Sequence, residues 1–84
     1  MGIDTDIRDG VVSALTAIAP EVDPAGIDDD EPLRDQVDLD SMDWLSFLRR
    51  LHSRYGVDIP ESDYQHLRTL RDVVTYVGTR VKVQ

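Results

Sequence analysis

In three separate stretches of this chain the apolar residues recur at helical spacing, and each stretch is bounded by proline, glycine or a polar cap. Ile3, Ile7, Val11, Ala14, Leu15 and Ile18 fall on one face at about 3.6 residues per turn, and Pro20 ends the run, which predicts a helix over residues 4–19. A second helix opens at Asp40, a good N-cap, with Asp43 placed to reach back toward the cap's amide. It ends at Gly56, a residue suited to the left-handed position after a helix. Trp44, Leu48, Leu51 and Tyr55 share its inner face, with Leu45 and Phe47 on the flanks. The outer face carries Asp43, Ser46, Arg49, Arg50, Ser53 and Arg54, which leaves Met42 as an apolar side chain in solvent. Val57-Asp58-Ile59-Pro60 reads as extended, because a residue before proline avoids the helical region. Residues 61–67 leave room for a short third helix only, and Thr69 with Asp72 caps a last helix reaching about Val81. Its stripe is Leu70, Val73, Val74, Val77 and Val81. The pattern is all-α: four helices, three longer and a short third, with no strand pairing.

The remaining segment, residues 20–40, is long for a connection in so small a chain and must be pinned to the body. Ile27, Leu33, Val37 and Leu39 are its candidate anchors. With 84 residues and 40% apolar content, one domain with a modest core is expected. The net charge of −8 is unevenly placed: residues 1–43 hold 13 acids against 2 bases, and residues 44–84 hold 4 acids against 7 bases. Such a field opposes nucleic acid and anionic lipid. No secretory signal, myristoylation pattern or membrane-spanning run is read, so a cytoplasmic protein without membrane insertion is expected.

Chemistry-bearing patterns are few. Cysteine is absent, and no Gly-x-Ser-x-Gly elbow, Gly-rich phosphate loop or His-Glu-x-x-His pair occurs, so no catalytic residue is assigned. His52 lies beside the inner face of its helix and reads as a packed core histidine. The acids of residues 28–43 fail the calcium-loop pattern in both frames: from Asp28 the sixth and twelfth positions are Leu33 and Leu39, and from Asp38 they are Asp43 and Arg49. No metal site is assigned. Ser41 stands apart, one residue after the cap, where a hydroxyl projects outward from a helix tip.

Leu39-Asp40-Ser41-Met42-Asp43 resembles the attachment motif of acyl carrier proteins, an Asp-Ser-Leu or Asp-Ser-Met opening the second helix. The resemblance extends through Leu45, Phe47, Leu48, Leu51 and Tyr55, then Ile59-Pro60 with its following acids, and finally Thr69, Val73, Val74, Tyr76 and Val77. It covers essentially the whole chain and implies a single acyl-carrier domain over residues 1–84, folded as a four-helix carrier-protein bundle with a long first loop. It also implies a 4'-phosphopantetheine arm on Ser41, taken covalently from coenzyme A, with Asp40 as motif acid and cap. The arm would hold acyl groups as thioesters for partner enzymes of lipid or polyketide-like biosynthesis. Implied partners are a phosphopantetheinyl transferase and acyl-loading and acyl-processing enzymes, met by a monomeric carrier that is not itself an enzyme.

Two positions depart from the family's pattern. Asp38 stands where glycine is usual, and would take the turn with some strain. On the outer face of the motif helix, Arg49, Arg50 and Arg54 stand where the carriers of bacterial fatty-acid synthesis are acidic, which points to a specialised carrier. Asp38, Met42, Asp43, Leu45, Arg49 and Arg50 are the expected partner-binding residues. Two other readings share the fold: an interaction module that docks without using an arm, and a peptidyl or aryl carrier differing only in cargo.

Overall fold

The computed structural model describes residues 3–81, and of residues 3–5 the backbone alone. Helix α1 spans Ile3–Ile18, α2 spans Leu33–Gln36, α3 spans Ser41–Tyr55 and α4 spans Leu70–Arg80. Two 3-10 segments, Pro24–Gly26 and Glu61–His66, lie in the connections. Among the described residues the only β pairing is an isolated bridge of Pro32 with Thr69.

The boundaries follow from local chemistry. Asp40 has extended backbone, and its carboxylate accepts from the Asp43 amide at 2.8 Å, so α3 starts at the next residue. Gly56, at φ 67°, takes the left-handed conformation that ends α3, and its N–H bonds the His52 carbonyl at 2.8 Å. Thr69 and Asp72 form a reciprocal capping box at the start of α4. At α3 the exchange is one-sided: the Asp43 amide donates to Asp40, and no return bond from the Asp40 amide to the Asp43 carboxylate is formed. Gly56 is the one positive φ among the described residues, so Asp38 stands in its turn without the expected strain.

Helix α1 packs against both α3 and α4. Val11 and Leu15 of α1, Phe47 and Leu51 of α3, and Leu70 and Val77 of α4 are wholly excluded from solvent. Each such side chain contributes roughly 1.5–3 kcal/mol of transfer free energy. Phe47, expected on a flank, sits at the centre of the core, while Tyr55 is half-buried. Tyr55 instead lies over Gly10 of α1, where a Cβ would run into its hydroxyl. Tyr76 is also buried, and its hydroxyl donates to Asp63 at 2.6 Å, tying α4 to the second 3-10 segment. Ile3, expected on the α1 stripe, lies outside the described side chains.

The long connection is built into the body. Ile27, Leu33, Val37 and Leu39 are all buried, as expected of anchors. Between them the chain forms α2, a helical turn that the spacing of apolar residues did not indicate. The Leu33 amide donates to the Arg68 carbonyl at 2.8 Å, and the Arg71 amide to the Asp29 carbonyl at 3.0 Å. The Gln36 amide closes the loop on itself, donating to the Asp28 and Glu31 carbonyls and accepting from the Asp28 N–H. Arg8 of α1 pairs with Asp29 at 2.8 Å, and Arg71 of α4 pairs with Asp30 at 2.6 Å. The Arg71 guanidinium holds the Asp30 carboxyl below the usual carboxylate range. No helix among the described residues is long and apolar enough to cross a membrane.

Candidate functional site

The anchors Val37 and Leu39 draw the loop onto the core just before the Asp40 cap, and this delivers the tip of α3 to the surface. Ser41 is the first residue of that helix and is exposed. Among the described residues its hydroxyl has no hydrogen-bond partner, so the oxygen is available to an incoming group. Met42 beside it is 70% exposed, the one large apolar side chain left in solvent among the described residues. Asp38 and Asp40 are exposed, and Asp43 and Leu45 are half-buried. Three acidic residues thus lie within three positions of a serine that opens the positive end of a 15-residue helix.

An open groove of about 670 Å³ runs from Ser41 toward the second 3-10 segment. Trp44 and Leu45 of α3 form one side, Pro32 and Arg34 another, and Glu61 and Tyr64 the far wall. The Trp44 ring is held against Phe47, with centroids 5.4 Å apart, and the Arg34 guanidinium lies 5.7 Å from its centroid. Sequence reasoning did not assign Arg34, Glu61 or Tyr64 to this place. The Ile-Pro step followed by acids marked the segment, but the groove is assembled from three elements distant in sequence.

The expected partner-binding residues fall in two places. Asp38, Met42, Asp43 and Leu45 cluster with Ser41 at the tip of α3, whereas Arg49 and Arg50 line a different groove against α1. His52 is not a core residue: its side chain is 57% exposed, with Nδ1 3.0 Å from the Val57 carbonyl and 3.5 Å from Asp58. The imidazole instead meets a carbonyl across the Gly56 turn. Among the described residues no cluster of His, Cys, Asp or Glu is arranged to hold a metal ion.

Residues 10–77 match the family described as the phosphopantetheine attachment site. The chain is also 30% identical over 77 residues to an acyl carrier protein of Campylobacter hominis, covering 92% of this chain and 91% of that one. The chain belongs to the acyl carrier protein family. An acyl carrier protein of Chlamydia caviae is 28% identical over 80 residues, covering 95% of this chain and 97% of its own. The meromycolate extension acyl carrier protein of Mycobacterium leprae is 32% identical over 73 residues, which is 83% of this chain. The matched part spans 64% of that relative's length. As in this family, the cofactor is a covalently attached 4'-phosphopantetheine. The relatives are carrier proteins rather than enzymes.

Proposed function

We propose that Ser41 bears the 4'-phosphopantetheine arm and that the protein carries acyl groups on it to partner enzymes of lipid or polyketide-like biosynthesis. The observation that supports this most is the exposed, unpartnered Ser41 hydroxyl at the first position of α3. The site suits the group: the exposed hydroxyl is open to a phosphopantetheinyl transferase, and a solvent-accessible groove adjoins it. When bound, the arm supplies a terminal thiol on which an acyl group is held as a thioester.

The chain's own residues set how freely that arm moves. The helix terminus favours the phosphodiester's negative charge by about 0.3–1 kcal/mol at an exposed site. Asp38, Asp40 and Asp43 repel it by a comparable amount, so nothing at the tip clamps the anion. Asp40 fixes the position of Ser41 by capping the helix, and Met42, Asp43 and Leu45 offer partners a mixed apolar and acidic rim. Tethering raises the cargo's local concentration at each enzyme the carrier meets. The protein acts as one monomeric domain in the cytoplasm and performs no bond chemistry itself. The arginines on α3 make it a specialised carrier with partners of its own.

The test is the intact mass of protein purified from cells containing a phosphopantetheinyl transferase, before and after hydroxylamine. A phosphopantetheine adduct carrying a hydroxylamine-labile acyl mass is expected. Unmodified protein from cells that modify a co-expressed control carrier would contradict the proposal.

A further inference from the structure

The lower half of α3 and the facing turns of α1 enclose a second groove of about 640 Å³, and none of its lining residues is a carboxylate. Ser13 and Ala17 of α1 form one wall, and Arg49, Arg50 and Arg54 of α3 form the other. The small side chains on α1 leave room over the guanidinium groups, and the Ser46 and Ser53 hydroxyls add donors within the cationic wall. All three arginines are exposed. None belongs to an ion pair among the described residues, although Arg8 and Arg71 elsewhere are paired with Asp29 and Asp30.

A chain with 17 acids and 9 bases has ample carboxylates to neutralise three arginines. Arg54 lies over the Tyr55 ring, 5.8 Å from its centroid, but among the described residues none of the three has a carboxylate partner. Their mutual repulsion is a cost that an incoming anion would relieve. The acids stay at the other end of the same helix, so α3 is split along its length: negative around Ser41, positive beyond. From the helical rise, the arginines lie about 12–20 Å along the axis from Ser41. A surface reaching both ends must itself be divided in charge.

We infer that this groove is the docking face for a row of carboxylates on a partner enzyme, one that works on the cargo of Ser41; this rests on the function proposed above. The carboxylates seat over Arg49, Arg50 and Arg54 while the partner's active-site mouth faces the helix tip. Complementary charge of this kind steers encounter and fixes orientation. It also rejects enzymes that are basic along the whole contact, because their cations would face the arginines. A nucleic acid fits poorly: its phosphates continue past three arginines into the field of Asp38, Asp40 and Asp43.

The experiment uses the full chain labelled with ¹⁵N and a synthetic helical peptide bearing glutamates along one face and alanine elsewhere. Amide shifts on titration are expected at Ser13, Ala17, Ser46 and Ser53, shrinking as salt is raised. The Arg49→Ala/Arg50→Ala/Arg54→Ala variant should bind the peptide at least about tenfold more weakly, and the corresponding triple lysine variant should recover most of the loss. Arg34→Ala/Arg68→Ala/Arg80→Ala makes the same change in net charge away from the groove and should not reproduce the loss. Shifts that avoid the groove, or equal losses in the two alanine variants, would overturn the inference. So would a short DNA duplex that shifts the same amides at lower concentration than the peptide. Ser41→Ala should give the same titration as wild type, so a failed arm assignment shows in the protein's mass and not in this result.

Discussion

Replacing Leu33 by alanine tests whether the connection between α1 and α3 is part of the folded body. Leu33 is completely buried although it belongs to a helix of only four residues, and its amide donates to the Arg68 carbonyl. Truncation leaves that backbone bond in place and removes the side-chain methyl groups from a site closed on all sides. The loss combines the transfer free energy with a term for the cavity left behind, about 2–5 kcal/mol for leucine to alanine. A stable protein of this size holds roughly 4–13 kcal/mol in all, so the variant should lose a large share of it. In thermal unfolding each kcal/mol moves the midpoint by about 4–8 °C. Urea denaturation of wild type and Leu33→Ala gives the difference directly, with Met42→Ala as the exposed control, expected within about 0.5 kcal/mol of wild type. If Leu33→Ala changed stability no more than Met42→Ala, the connection would be a loose strap, and the account of how Ser41 reaches the surface would fail with it.

Other outcomes follow from single contacts. Asp40→Ala should cost about 0.5–2 kcal/mol, because the Asp43 amide loses its acceptor, and urea denaturation reads the difference from wild type. Burial, then the bond to Asp63, raises the Tyr76 phenol above its ordinary value of 10.0. The folded state therefore holds that proton more tightly; the associated stability is present below pH 10.0 and lost as pH climbs through the folded value. The melting temperature should thus fall more steeply between pH 9 and 11 for wild type than for Tyr76→Phe. Among residues 28–43 there are 8 acids and the single base Arg34, so at low ionic strength added salt or a shift from pH 7 to about 5 should raise the melting temperature. Asp30 has a lowered folded value, so its contribution is present above its unfolded value of 3.8 and is lost as pH falls through the folded one, reversing the gain in stronger acid.

What could be read from the sequence was governed by neighbours close along the chain. The Asp40 cap, the Gly56 stop and the Thr69–Asp72 box are each local, and the structure reproduces all three. Ser41 at a helix tip follows from the first of them, as does the exposure of Met42. The α2 turn was not legible because it carries one buried side chain and is held by Arg68 and by Gln36 hydrogen bonds across the loop. The centring of Phe47 and the burial of Tyr76 depend on which helices lie opposite, and periodicity within one helix does not carry that information. His52, at the edge of its stripe, is exposed rather than packed in the core for the same reason: such a residue is buried or exposed according to its neighbours. The groove beside Ser41 required the second 3-10 segment and Pro32 to be brought to α3, so Arg34, Glu61 and Tyr64 gave no signal of it.

Ser41 as the point of attachment is the claim on which the proposed function depends. The direct measurement is the intact mass of purified protein after incubation with coenzyme A, magnesium and a broad-range phosphopantetheinyl transferase, made in parallel on wild type and Ser41→Ala. One phosphopantetheine is expected on wild type and none on the variant. An adduct on Ser41→Ala, or none on wild type under conditions that modify a control carrier, would contradict it.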